Sequence, residues 1–262
     1  MKENRIRRVI REGGTAIGIQ IMEFGTRGMA KIMETTDIDY VILDMEHSGF
    51  GLDRIADLLA WFKATDIATI VRVPENLYHY LAGALDAGAS GVQVASVETA
   101  EQARAIVQAV KYAPMGNRGL AISAAHSNFG SPKATEYLPF MNQQTVIILQ
   151  IETVKGLENC EEIAAVEGVD VLAVGANDMT FSLGIHGQFE HPKLAAAMQK
   201  VIAACKKHGK IGKCHPHRPE QIGDYAKMGY RMFMGNSDVS HLRQGVKATV
   251  DKLRNGAAAA LK

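Results

Sequence analysis

Two carboxylates close two apolar runs of the chain: Glu152 ends TVIILQIE (Thr145–Glu152) and Asp178 ends VLAVGAND (Val171–Asp178). Each run is too uniformly aliphatic and β-branched for a strand with one wet face, and reads as a parallel strand covered on both sides. Gln150 and Glu152 lie two apart and so share one face of an extended chain. Asp178 follows a Gly175-Ala176-Asn177 bend that leaves the second strand. Two carboxylates held at the same end of neighbouring strands can grip a hard divalent cation and leave positions for water or substrate. Taken singly, Glu152 reads equally well as a capped strand end and Asp178 as a helix N-cap.

Other residues extend that chemistry. His47 is the natural general base, since imidazole titrates near neutrality, and Asp44, three residues earlier, is expected to orient the ring. Arg72 follows Ile70-Val71 and brings a fixed fork of donors suited to a carboxylate or a developing enolate oxygen, or else to a salt bridge closing the rim. The Gly175-Ala176-Asn177-Asp178 bend opens a short helix whose free N–H groups can receive a substrate carboxylate. A metal, an anion-binding bend, a fixed cation and a base together describe proton abstraction beside a polarised carbonyl, which is enolate chemistry.

These residues need elements that bring them together. Short apolar runs alternate with longer amphipathic stretches throughout, the pattern of βα units around a parallel sheet. Strands are predicted near Ala16–Ile21, Tyr40–Leu43, Ala68–Val71, Gly91–Val94, Val146–Ile151, Val171–Val174, Ile211–Cys214 and Met232–Met234. Helices fit at Gly28–Glu34, Leu52–Thr65, Tyr78–Ala87, Thr99–Val110, Leu157–Ala165, Pro192–His208, Pro219–Met228 and Val239–Arg254, and Gly256–Ala260 reads as a fraying tail. Eight units in 262 residues match a (β/α)8 TIM barrel, an α/β fold in which active sites lie at the carboxyl ends of the strands. Five successive strand ends carry polar groups: Asp44-Met45-Glu46-His47, Arg72, Gln93 with Ser96, Gln150 with Glu152, and Asn177-Asp178. The longest connection, Tyr112–Asn142, is rich in Gly, Pro, Ser and Asn and reads as a functional or mobile loop. No linker interrupts the pattern, so residues 1–262 are expected to form one domain.

Bulk properties exclude other classes. A formal charge of +1 gives no electrostatic case for nucleic acid, and no basic run suggests an anionic membrane. The charged N-terminus is no secretory signal, and no apolar run reaches membrane-spanning length. Three scattered cysteines, Cys160, Cys205 and Cys214, point to reduced thiols in the cytoplasm.

The segments LDMEHSGFG (Leu43–Gly51), VRVPEN (Val71–Asn76), LDAGASGVQV (Leu85–Val94), YAPMGNRG (Tyr112–Gly119), LQIET (Leu149–Thr153), EGVDVLAVGANDM (Glu167–Met179) and MGNSD (Met234–Asp238) resemble the metal-dependent, pyruvate-using class II aldolases of the HpcH/HpaI family, the 4-hydroxy-2-oxoheptanedioate aldolase-like enzymes. The likeness runs in order along most of the chain. It implies a modified TIM barrel, commonly a hexamer built from dimers or trimers, with the last helix exchanged between neighbours. It also implies that Glu152 and Asp178 ligate Mg2+, Mn2+ or Co2+, that Arg72 steadies a pyruvate enolate, and that His47 with Asp44 moves protons by way of water. The amides of Gly175, Ala176 and Asp178 would hold the substrate carboxylate, with Asn177 in the same bend and Gln150 supporting from the fifth strand. Asp86 matches a carboxylate that approaches the base from a neighbouring subunit. The substrates implied are a small 2-oxo acid and an aldehyde.

The chain departs from the family where many relatives carry arginine, in the segment matching Ala124–Phe129. It reads AAHSNF here and offers His126, as an acceptor contact or an exposed loop residue. Rival readings attach to other residues. Lys213 falls at a strand end and would serve a Schiff-base aldolase, while His215 and His217 are poorly spaced for a metal. Gly235–Asp238 opens the last helix as a phosphate turn or a plain cap. A catalytically inactive barrel used as a binding or assembly subunit is the non-enzymatic alternative.

Overall fold

The structure, a computed structural model, describes residues 2–218 and 220–261. Eight parallel strands close into one barrel in sequence order. They are β1 (Ala16–Ile21), β2 (Tyr40–Asp44), β3 (Ala68–Val73), β4 (Gly91–Val94), β5 (Val146–Ile151), β6 (Val171–Val174), β7 (Ile211–Cys214) and β8 (Met232–Ser237). The helices are α1 (Arg5–Arg11), α2 (Gly28–Glu34), α3 (Leu52–Phe62), α4 (Tyr78–Asp86), α5 (Ala100–Val110), α6 (Ala134–Gln144), α7 (Val154–Glu158), α8 (Cys160–Ala165), α9 (Ala176–Ser182), α10 (Pro192–Lys207), α11 (Gln221–Met228) and α12 (Asp238–Ala260).

The two-residue period of the strands sorts their side chains. Val41, Leu43, Val71, Val92, Ile147, Leu149 and Leu172 pack outward under the helices. Tyr40, Ile42, Ala68, Ile70, Val146, Ile148, Val171, Ala173 and Met232 fill the barrel interior, together with Ile6. Ile6 belongs to α1, an element absent from the sequence expectation, which covers the amino ends of the strands. Arg5 reaches Asp39 at 2.8 Å, and Arg7 reaches Asp170 at 2.7 Å. Those carboxylates in turn accept from the strand amides of Ile17 at 2.8 Å and Ile147 at 2.9 Å.

Three other expectations change. The second part of the Tyr112–Asn142 connection is helical, in α6, which runs on to Gln144 and accommodates Pro139. The helix expected at Leu157–Ala165 is two short ones meeting at Asn159, and α12 continues through the supposed tail to Ala260. The start expected at Pro219 lies outside the described residues. Among the described residues no helix is long and apolar enough to cross a membrane.

Candidate active site

The inward-facing side chains change character along the barrel. Its middle is apolar, but the last inward position on most strands is polar: Gln20, Asp44, Arg72, Gln93, Gln150 and Lys213. These groups converge at the carboxyl ends of the strands, as the barrel rule requires.

Asp44 is fully buried and faces Arg72 on the adjacent strand, register partners in the β2–β3 pair. Arg72 Nε and Nη2 donate to its two oxygens at 2.8 and 2.6 Å, and Gln20 Nε2 adds a third bond at 2.5 Å. Burial opposes ionisation of Asp44, but the Arg72 fork, the Glu46 amide and Gln20 outweigh it and hold the carboxyl below its usual range. Arg72 Nη1 remains for other work and lies 3.1 Å from Glu46 Oε2.

The expected pairing of Asp44 with the His47 ring is therefore corrected. From His47, Asp44 accepts the backbone amide alone, at 3.4 Å, because Arg72 and Gln20 occupy its carboxylate. The ring, 60% exposed at the rim, has Glu46 Oε1 3.9 Å from its Nε2. Burial raises the Glu46 carboxyl against the counter-pull of Arg72 and His47. The Asp44-to-His47 spacing carried no sign that the neighbouring Glu46 would be the nearer acid, since what draws the Asp44 carboxylate away from the ring is Arg72 on another strand.

Glu152, 3% exposed, is gripped from two strands. Ser96 donates its amide at 2.7 Å and its hydroxyl at 2.9 Å to Oε1. Ser96 does this from the left-handed region, at φ 51°, a conformation a serine occupies only when its surroundings demand it. Gln150 Nε2 donates to Oε2 at 2.5 Å, and Gln93 Nε2 in turn donates to Gln150 Oε1 at 2.5 Å. Gly175 is bare for a reason: a Cβ there would stand 2.2 Å from Glu152 Oε2. The backbone therefore passes tightly against that oxygen just where the chain turns into α9, an approach that only glycine permits.

Asp178 lies in the first turn of α9, exposed, three residues past Gly175. It is not the N-cap, which is Gly175, so the capping alternative does not hold. Among the described residues no cluster of three or more His, Cys, Asp or Glu side chains is placed for a metal. The donor set is thus two carboxylates at most, all oxygen and on the same rim. A carboxylate has about four acceptor sites, so three donors leave Glu152 one free. That set fits a hard divalent ion, which typically takes one or two protein carboxylates and completes its shell with water and substrate.

Several sequence candidates lie elsewhere. Asp86 ends α4 at the amino side of the barrel, where Arg118 Nη2 donates to it at 2.5 Å, so it cannot serve the mouth of its own chain. His126 is neither an exposed loop residue nor at the mouth. Its side chain, 1% exposed, bonds the Tyr137 hydroxyl at 2.6 Å and the Ala121 carbonyl at 2.8 Å, beside a cavity of about 310 Å3 lined by Lys2, Phe62, Ser90 and Tyr137. His215 and His217 stack with ring centroids 5.5 Å apart, and His217 lies on Phe189 at 3.5 Å. The phosphate reading of Gly235–Asp238 is excluded by Asp238 itself, whose carboxylate accepts from Met22, Glu23 and Phe24 amides at 3.2, 3.1 and 2.8 Å. Ser237 caps α12. Gln20 was missed by the sequence reading, although its place at the end of AIGIQI, two residues after Gly18, puts it on the inward face.

A model of the HpcH/HpaI aldolase/citrate lyase family matches residues 25–244. A 2-dehydro-3,6-dideoxy-6-sulfogluconate aldolase of Pseudomonas putida is 38% identical over 211 residues, covering 80% of this chain and 82% of that one. A hydroxypyruvate/pyruvate aldolase of Roseobacter denitrificans is 34% identical over 253 residues, covering 97% and 98%. Among solved structures, an HpcH/HpaI aldolase from Desulfitobacterium hafniense superposes with a TM-score of 0.91 at 28% identity, covering 95% of this chain and 96% of that one.

Proposed function

The chain belongs to the HpcH/HpaI aldolase/citrate lyase family, and from that premise we propose that it is a divalent-metal-dependent aldolase. It cleaves a 4-hydroxy-2-oxo acid into pyruvate, or hydroxypyruvate, and an aldehyde, or joins them in reverse. The observation that carries this reading is the buried Glu152 carboxylate, fixed by Ser96 and Gln150 against the bare Gly175, with one acceptor site unspent. Mg2+, Mn2+ or Co2+ held there by Glu152 and Asp178 would act as a Lewis acid on the 2-oxo group.

The chain's own residues do the rest. His47, exposed at the rim, takes the proton of the 4-hydroxyl on a ring nitrogen. The C3–C4 bond then breaks, the aldehyde leaves, and the electron pair moves to the C2 oxygen. Arg72 meets that oxygen with its remaining Nη1 donors, its orientation locked by Asp44. The protonated His47 returns a proton to C3, giving pyruvate. Gln150 and the Gly175, Ala176, Asn177 and Asp178 segment bound the donor end, with the backbone amides on the carboxylate. Activity should fall at least about a hundredfold on thorough chelation and return with Mg2+, Mn2+ or Co2+. Pyruvate release that persists in the stripped enzyme would sink the metal-dependent reading.

The same reading extends to assembly and place. Residues 1–262 act as one barrel domain in the cytoplasm, consistent with three buried free cysteines, and function as a homo-oligomer, a trimer or hexamer. Helix α12, about 34 Å long at 1.5 Å per residue, supports this: Val239, Leu242, Val246 and Leu253 form an exposed apolar stripe at helical spacing. The Asp86 contribution to catalysis requires such a neighbour. Replacing Leu242 and Val246 by Glu should shift the particle to a smaller species in sedimentation and light scattering, and an unchanged mass would remove α12 from the interface.

A further inference from the structure

In the mouth of the barrel Asp44 is held by Gln20 and Arg72, and Glu152 by Gln150, which Gln93 holds in turn. Lys213 on β7 does not join them. It is 3% exposed, and its flanking Gly212 faces outward against Ile202 and Tyr230, so alternation turns Lys213 inward. Among the described residues its Nζ has no oxygen acceptor, and its one polar neighbour is the Met234 sulfur at 4.0 Å. An amine buried without an acceptor costs stability, and this one lies at the working end of the barrel.

Its surroundings indicate what would satisfy it. On β6 its register partner is Ala173, and the next inward position is the bare Gly175. No β6 side chain larger than a methyl therefore separates Lys213 from the turn where the 2-oxo acid places its carboxylate. After burial, the charge of Arg72 depresses the amine further, while Cys214 and Glu152 pull the other way. Burial is the larger influence and brings the group down to about 7, so a bound anion would be what keeps it protonated.

We propose that Lys213 binds the carboxylate of the 2-oxo acid, supplying the full positive charge that the backbone amides of the Gly175 turn lack. This assignment rests on the aldolase reading and adds a residue to it. It also answers the Schiff-base alternative: the lysine is a donor to the substrate rather than its nucleophile.

The test compares pyruvate with its uncharged amide, using wild type, Lys213→Met and Lys213→Gln in the presence of Mn2+. Binding is followed by calorimetry and turnover by deuterium exchange at pyruvate C3. Both variants should weaken pyruvate about tenfold or more, weaken pyruvamide less than about twofold, and leave saturated exchange within about threefold. Lys213→Met should melt no lower than wild type, because it removes a buried unpaired amine. Unchanged pyruvate affinity, equal weakening of acid and amide, or a borohydride-trapped pyruvate on Lys213 would each overturn the assignment. A wild-type protein that neither binds nor exchanges pyruvate would instead overturn the aldolase reading, and the assignment with it.

Discussion

Glu152→Gln is expected to lower pyruvate release about a thousandfold while leaving the barrel folded. The substitution keeps the shape of the side chain but removes its charge and turns one acceptor into a donor. Ser96 presents an amide and a hydroxyl to one oxygen, and Gln150 presents an amide hydrogen to the other. A glutamine there can satisfy one side and must meet the other donor to donor. Mn2+ affinity, measured by titration, should fall along with activity, and the melting temperature should move by only a few degrees. A variant that keeps more than a tenth of wild-type turnover would remove Glu152 from the chemistry.

The second large effect falls on Arg72. Arg72→Lys should cost about a thousandfold in C3 proton exchange and also several kcal/mol of stability. Lysine carries the charge on one nitrogen and cannot fork onto both oxygens of Asp44 while offering a third donor to substrate. Asp44, wholly buried, would then lose a bond it needs to stay ionised. The Asp44–Arg72 pair holds the folded carboxyl below its ordinary value, so it stabilises the protein above that value and is lost as pH falls through the folded one. The variant should accordingly show a flatter dependence of melting temperature on pH in the acid range. Retained exchange activity would mean that Arg72 merely closes the rim.

Much of this was legible along the chain because a strand's alternation and its final residue are local properties. Eight apolar runs located the strands to within a few residues, and each polar terminus, Asp44, Arg72, Gln93 and Gln150, followed from its position at the end of a run. What depends on another part of the chain was not legible. Asp44 seemed available to His47 until Arg72 and Gln20 claimed it. His126 seemed free until Tyr137, eleven residues on, bonded it. Helix α1 carries charge on most of its residues, RIRRVIR, and only the barrel floor reveals why Ile6 is there. Helix α6 was masked by Pro139, which usually argues against a helix interior.

The Asp238 carboxylate has a consequence for how the molecule comes into being. It fastens the segment after the first strand to the start of the last helix, beside the β1–β8 pairing that completes the ring. During synthesis β1 emerges first and its partner β8 last, so one edge of the sheet waits with bare amides while more than two hundred residues are made. Nascent chains cut short before Met232 should therefore be sticky open sheets in need of chaperones, however well their earlier βα units have formed.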